Sequence, residues 1–374
     1  MTKYLPSNQD TAEKYLLKLM RFALKSVKQS CSIELELGEV MNAFRSKVNE
    51  CIWMCIRTNA FSLKKLSCLS YKDLGAKYDK IPSYYPLTAI SKEAGILAAR
   101  KKSLRRGFRT KGSVPSKTAL VSCYNFKVSD EEQALIFSVS SRRKIKVVLT
   151  KHTLETIKGL EVRSFTITPT SLSLSVRKVV CPYNPKSFVG IDRNASNITC
   201  GNEKKVLPFD LSKVEEIART TKEIVSSFKR NDVRIRKSIA SKYGKRRRQR
   251  VEKILHLVSK KIVEDAKLNQ SALVFEDIKG IRNLYKKGNF QTKSFRGRMN
   301  SVPWSEIKRQ VEYKAAWEGI PVIQLTKGET RGTSKLCPAC GERLQEDRTH
   351  RRQLWCEKCG KSEDRDIVAV MNIS

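Results

Sequence analysis

Cys337-Pro338-Ala339-Cys340 and Cys356-Glu357-Lys358-Cys359 are separated by fifteen residues near the end of the chain. No other feature constrains folding as strongly. Each CxxC forms a tight knuckle, Gly341 and Gly360 supply the turn after its second thiolate, and four sulfurs close a tetrahedral site. A redox motif needs one such pair, whereas two stand here in register, so the spacing selects a zinc ribbon. Four protein ligands leave no open position on the metal, which is therefore structural. Chemistry must sit elsewhere. The nearest candidate is Asp366, seven residues after Cys359, where a short helix through Ile367, Val370 and Ile373 is expected. An aspartate in a first helical turn is more often a cap or dipole partner, so Asp366 needs partners upstream.

The 374 residues suffice for two or three domains, and 40% apolar residues argue against global disorder. Charge is the outlier: 75 Lys and Arg against 37 Asp and Glu, a net of +38. A polyanion relieves such self-repulsion, so nucleic acid is the leading partner and a membrane surface the runner-up. No apolar run approaches a membrane span and Met1 to Asp10 lacks a signal-peptide core, so a soluble intracellular protein is expected. Seven of the eleven cysteines lie outside the ribbon without framework spacing and read as buried free thiols. Three histidines (His152, His256, His350) argue against chemistry built on a histidine cluster and leave a carboxylate-metal mechanism.

From Thr11 to about Cys68 the pattern is helical, first through Tyr15, Leu16, Leu19, Phe22 and Leu24, then through Val40, Phe44, Val48, Ile52 and Cys55. A further helix is expected from Thr88 to Leu104. Arg100, Lys101, Lys102, Arg105, Arg106, Arg109 and Lys111 follow in a stretch without acids, which suits a phosphate track. From Thr118 to Val180 the period changes to two, predicting a small β-barrel-like domain.

The second half opens on the strand Phe188-Val189-Gly190-Ile191-Asp192 and the turn-prone run Arg193 to Asn197, followed by two short strands. Two helical stripes follow. Between them, Lys229 to Lys261 carries fourteen Lys and Arg, Lys245, Arg246, Arg247, Arg248 and Arg250 among them, against two acids. Ser271 to Phe275 is another strand, ending in Glu276-Asp277. A basic loop then interleaves Lys286, Lys287, Arg296 and Arg298 with Tyr285, Phe290 and Phe295, a mixture that serves phosphates and stacked bases. A helix from Pro303 and a strand at Ile320 to Leu325 complete an α/β layout with one central sheet.

Asp192, Glu276 and Asp366 occupy comparable places, two at the ends of apolar strands and one at the start of the final helix. A carboxylate there is costly unless it is paired or binds a cation. Three that converge would hold two magnesium ions, hard cations that prefer oxygen. Position alone leaves open that they are unrelated strand-end and cap residues.

Three motifs carry a resemblance: Gly190-Ile191-Asp192; Val274-Phe275-Glu276-Asp277 with Ile278-Lys279-Gly280; and the tail from Trp304 through Tyr313-Lys314-Ala315, Gly319-Ile320-Pro321-Val322, Thr333 to Cys337, the ribbon, Asp364-Arg365-Asp366 and Asn372-Ile373. Over about half its length the chain resembles the TnpB family, transposon-encoded proteins related to compact type V CRISPR effectors and to Fanzor proteins. The resemblance implies an RNase H-like (RuvC-like) α/β nuclease domain with the zinc ribbon inserted before its last helix. A small β-barrel wedge domain with a helical recognition segment would precede it.

The implied divisions are 1–117 (recognition and part of the wedge), 118–186 (wedge), 187–332 (nuclease), 333–361 (ribbon) and 362–374 (last motif). The implied activity is RNA-guided cleavage of double-stranded DNA beside a short motif. Asp192 would bridge two Mg2+ ions, Glu276 and Asp366 would bind one each, and Asp277 and Asp364 would be supporting neighbours. Val368 stands where the family has Asn, so a contact of that Asn is lost. The rival readings are a nuclease-dead RNA-guided repressor, which should lack one of the three acids, and a guide-free nuclease or transposase, which has less need of the basic first half. A zinc-ribbon RNA-binding protein without enzymatic role is the third.

Overall fold

The computed structural model describes residues 21–32, 35–58, 62–77, 82–105, 107, 118–140, 142–228, 233–278, 280–346, 350 and 352–374. Residues 24–178 form one compact unit, and the described residues outside that range form the other.

The first unit begins with a correction. Arg21–Ser30, where the helical stripe was expected to run through Phe22 and Leu24, is a strand (β1). Ala23, Val27 and Gln29 turn inward while Phe22 and Leu24 stay exposed, the period of two that a sheet neighbour imposes. Tyr15, Leu16 and Leu19 lie outside the described residues. Helix α1 (Leu35–Thr58) buries Leu37, Met41, Phe44, Val48, Cys51, Ile52 and Cys55, the spacing of one helical face. Helices α2 (Leu63–Lys77) and α3 (Tyr85–Arg105) complete the helical part. Tyr85 enters the interior without stranding its hydroxyl, which donates to the Ser138 carbonyl at 2.9 Å.

The chain then alternates through β2 (Leu120–Ser122), β3 (Phe126–Ser129), β4 (Ala134–Ser138), β5 (Lys144–Val148), a short α4 (Lys151–Ile157), β6 (Glu161–Thr168) and β7 (Ser171–Val180). Instead of one barrel these strands make two sheets, ordered β1-β7-β6-β2 and β3-β4-β5. The sheets meet at Phe165, whose ring lies 4.7 Å from Phe137 and 5.4 Å from Phe126, because each is apolar on one face only. Among the seven cysteines outside the ribbon, Cys51, Cys55 and Cys200 are buried. Cys68, Cys123 and Cys181 are exposed, contrary to expectation: Cys68 sits off the inward Leu66, Ser70 and Leu74 face of α2, and the other two follow strand ends.

The second unit is built on one sheet. Its elements are β8 (Ser187–Arg193), β9 (Asn197–Gly201), β10 (Val206–Asp210), α5 (Ser212–Ser227), α6 (Val233–Leu268), β11 (Ser271–Phe275), α7 (Lys293–Ser301), α8 (Trp304–Glu318) and β12 (Val322–Gln324). The order is β10-β9-β8-β11-β12; β8, β11 and β12 are parallel, and β9 pairs antiparallel with both of its neighbours. Val189, Ile191, Leu273 and Phe275 point to one face and pack with Val214 and Ile217 of α5, Leu255, Ile262 and Ala266 of α6, and Ile307, Val311 and Ala315 of α8. The basic run expected between two helices belongs to α6 itself. Among the described residues of α6, none before Val251 is buried.

On the opposite face lies the last helix, α9 (Arg365–Ile373), reached through a three-stranded antiparallel sheet of β13 (Gln345–Glu346), β14 (Gln353–Cys356) and β15 (Lys361–Asp364). Gly190 permits this packing. A Cβ there would fall 2.4 Å from the Val370 carbonyl oxygen and 3.0 Å from Ile373 Cβ, so only glycine lets α9 lie on β8. Gly190→Ala is expected to push α9 off the sheet and to lower stability by about 1–3 kcal/mol, the usual cost of overpacking. Thermal denaturation checks it, and an unchanged melting temperature would contradict the close contact.

Candidate functional site

Alternation along β8 puts Asp192 on the side of Gly190, facing α9, and Ile191 on the other. Phe275 is in parallel register with Ile191, so Glu276, one residue on, continues onto the Asp192 side. Asp366 stands in the first turn of α9 and is 8% exposed. Its place is set by the ribbon: Asp364, the last residue of β15, is the N-cap, and its Oδ1 accepts the Asp366 N–H at 2.8 Å. Asp364 is thus a capping residue.

The three carboxylates act on one another electrostatically. Burial, and after it the charge of Asp366, pushes the Asp192 carboxyl up to about 6. Burial and then Asp192 push Glu276 up to about 7. Asp192 is therefore the middle member. Asn194 Nδ2 donates to Asp192 Oδ2 at 2.8 Å, and Asn197 Nδ2 to Asp366 Oδ2 at 2.7 Å. Asn197 Oδ1 is buried and has no hydrogen-bond partner. Arg352, on the approach to β14, donates to Asp366 and, at 3.3–3.4 Å, to Asp364.

Arg193 lies on the opposite side of β8 from Asp192 and is 5% exposed. Its Nη2 donates to the Glu276 carbonyl (2.8 Å) and its Nη1 to the Trp304 carbonyl (3.2 Å), and its guanidinium carbon lies 5.2 Å from the centre of the Phe275 ring. One buried cation thus ties the ends of β8 and β11 to the start of α8. Arg193, Asn194 and Asn197 read only as turn-forming in the sequence. The available signal was the alternation past Asp192, which already placed Arg193 on the core side.

The four cysteines form a second site. Cys337 and Cys359 Sγ are 3.9 Å apart, Cys340 and Cys356 Sγ 3.5 Å, and all four lie within 4.8 Å of one another. Metal–sulfur bonds of about 2.3 Å in a tetrahedron need sulfurs about 3.8 Å apart, so the set fits one metal ion. Gly341 and Gly360 adopt φ of 74° and 62°, and their N–H groups each donate at 2.9 Å to the carbonyl of the first cysteine of the pair. Among the described residues this is the group of His, Cys, Asp or Glu drawn together tightly enough for one ion. Val368 is fully buried against Cys337, Leu344, Leu354 and Cys356, so α9 and the ribbon share a core. Asn372 Nδ2 donates to the Thr333 and Leu336 carbonyls and ties the end of α9 to the same segment.

The basic candidates are dispersed. Lys101, Lys102 and Arg105 are exposed and Arg100 half-buried on the last turns of α3, while Arg106 and Arg109 lie outside the described residues. On α6, Lys245, Arg246, Arg248 and Arg250 are exposed, and Arg247 donates to the Ser301 carbonyl. Lys286 and Lys287 are exposed. Arg296 bonds the Gln291 carbonyl, and Arg298 lies over the Phe295 ring and pairs with Glu215. No helix among the described residues is long and apolar enough to cross a membrane.

Residues 304–373 match the Cas12f1-like TNB domain family. A solved Cas12f1 from a complex with sgRNA and target DNA shares the fold, with a TM-score of 0.64 at 14% identity over 90% of this chain and 81% of that one. A TnpB-like protein of Methanocaldococcus jannaschii is 32% identical over 213 residues, which are 54% of this chain and 73% of the relative. Identity of that degree across most of a relative's length marks common descent, and the chain belongs to the TnpB family.

Proposed function

We propose that the protein is an RNA-guided DNA endonuclease whose RNase H-like nuclease domain is the sheet β8–β12 with its helices and α9. One observation carries the reading: Asp192 and Glu276, both half-buried, continue onto the α9 side of the sheet, where Asp366 stands buried in the first turn of α9. Neighbouring carboxylates are unfavourable unless cations join them, and an all-oxygen donor set suits magnesium. When bound, two such ions would supply an activated water and stabilise the leaving oxygen of a phosphodiester.

The chain's own residues prepare that chemistry. Asp192, Glu276 and Asp366 would hold the ions through their carboxylate oxygens. Asn194 and Asn197 hold the Asp192 and Asp366 carboxylates in orientation. Arg352 balances the Asp366 charge through their ion pair. The four-cysteine site would hold structural zinc and keep the start of α9 in position.

In this reading residues 1–117 contain the helical recognition segment, 118–186 the wedge, 333–361 the ribbon and 362–374 the last catalytic motif. The exposed cations of α3, α6 and the 286–298 loop would carry the guide RNA and the DNA target. All three acids are present, which favours an active nuclease over a nuclease-dead relative. Purified from cells with its own locus, the protein is expected to retain one discrete RNA ending in a variable segment. With that RNA it should cut matching double-stranded DNA only in Mg2+. Sequencing of the protected RNA and a cleavage assay check this, and absence of a discrete RNA would overturn guidance.

A further inference from the structure

After Glu276 the chain leaves the sheet, and it returns at Trp304. Both points are held by one group: the Arg193 guanidinium takes the carbonyls of Glu276 and Trp304. The intervening excursion is therefore rooted beside the carboxylates. From Ile278 to Ser305 it contains no acid and seven cations: Lys279, Arg282, Lys286, Lys287, Lys293, Arg296 and Arg298.

Its three aromatics before Trp304 differ sharply. Tyr285 is 2% exposed and anchors the loop, and Phe295 has its face covered by Arg298 at 5.5 Å. Phe290 is fully exposed. It also has a φ of 54°, which makes it the only aromatic among the non-glycine residues described with positive φ; the others are Asn125, Gln133 and Gln270. A bulky side chain in the left-handed region costs free energy, and an apolar ring in water gains nothing to offset it. The loop on either side is fastened, with Asn289 donating to the Asn283 carbonyl and Thr292 capping α7. The ring is thus presented to solvent from a supported base, between Lys286–Lys287 and Lys293.

We propose that Phe290 is a stacking platform for an unpaired base of a single strand led to the carboxylates, with Lys286 and Lys287 against the flanking phosphates. The proposal rests on the nuclease reading for the role of that strand. A single strand fits the features because its bases have free faces, whereas a duplex offers only its backbone and groove edges. The cations select a polyanion over an apolar peptide.

The test uses the full-length protein in buffer without added Mg2+, so that binding is measured without cleavage while zinc is retained, and single-stranded DNA carrying 2-aminopurine, whose fluorescence is quenched by stacking. Wild type is expected to quench the probe. Phe290→Ala should lose most of the quenching and bind about 5- to 150-fold more weakly, the range of one base–aromatic stack. Phe290→Trp should retain both, and duplex DNA affinity should be unchanged in each variant. Phe290→Gly should melt at a higher temperature than wild type while binding the strand as weakly as Phe290→Ala, since glycine removes the strain together with the ring. Unchanged quenching and affinity in Phe290→Ala would overturn the proposal even if guided cleavage were intact. Loss of guided cleavage in wild type with stacking preserved would instead overturn the nuclease reading.

Discussion

Asp192→Asn is expected to reduce cleavage by about a thousandfold or more and, in the same protein, to raise stability above pH 7. The first effect follows from removing the carboxylate that would face both metals, which act by stabilising charge in the transition state. The second follows from linkage. Burial and Asp366 raise the Asp192 carboxyl to about 6, and burial and Asp192 raise Glu276 to about 7, while unfolded carboxyls titrate near 4. Between about pH 4 and 7 the folded chain therefore holds more protons than the unfolded chain, and stability falls as pH rises through that window. Above it, two half-buried anions stand close together at a cost that a cation would relieve. Mg2+ should accordingly raise the melting temperature of the wild type strongly at pH 8 and weakly at pH 5.5. Asparagine removes one charge and its effect on the other, so the variant should show a flatter pH profile and little response to Mg2+. Thermal melts with and without Mg2+, together with a cleavage assay, test both halves. Mg2+-dependent cleavage by Asp192→Asn would refute the catalytic assignment, and a metal-free wild type equally stable at pH 5 and 8 would refute the raised, half-buried acidic pair.

Loss of the ribbon metal should be almost as damaging, although none of its ligands touches the carboxylates. In Cys356→Ser the zinc content is expected to fall from one equivalent to near zero, and cleavage by at least about tenfold, the lower bound typical of losing a group that orients a ligand. The path is physical. Cys356 and Cys337 pack with Leu344, Leu354 and Val368, and Val368 lies two residues beyond Asp366. A ribbon that opens releases the Asp364 cap, the Arg352 contacts and the buried side of α9 together. Structural zinc sites contribute folding free energy directly, so the segment from Thr333 to Asp364 should become protease-sensitive while the core around Ile191, Leu255 and Phe275 stays protected. Metal analysis and limited proteolysis measure these outcomes; full zinc occupancy with full activity in the variant would refute the assigned role.

Much of this was legible in the residues because it depends on covalent spacing or short periodicity. The CxxC pairs and their glycines specify a metal knuckle wherever they stand. The three-to-four spacing from Phe44 to Cys55 specifies a buried helical face. The apolar runs before Asp192 and Glu276 specify strands that end in acids, and the order of elements specifies one central α/β sheet.

What the residues did not reveal depends on contacts between distant segments. Arg21–Ser30 is a strand because a neighbouring strand is available to pair with it, which overrides a local pattern compatible with a helix. Asn197 meets Asp366 across 169 positions, and Arg193 reaches the Glu276 carbonyl across 83; neither is written in the turn-like composition around them. Val368, noted first as a departure from the family, turns out to be a core residue because α9 and the ribbon close on the same side of it. Residue order alone named the acids, thiols and cations proposed for metal and phosphate and the elements that carry them. Which of those groups met was left to the folded packing, because a charged side chain one residue beyond a strand can face either solvent or a partner, and the docking of the next helix selects between them.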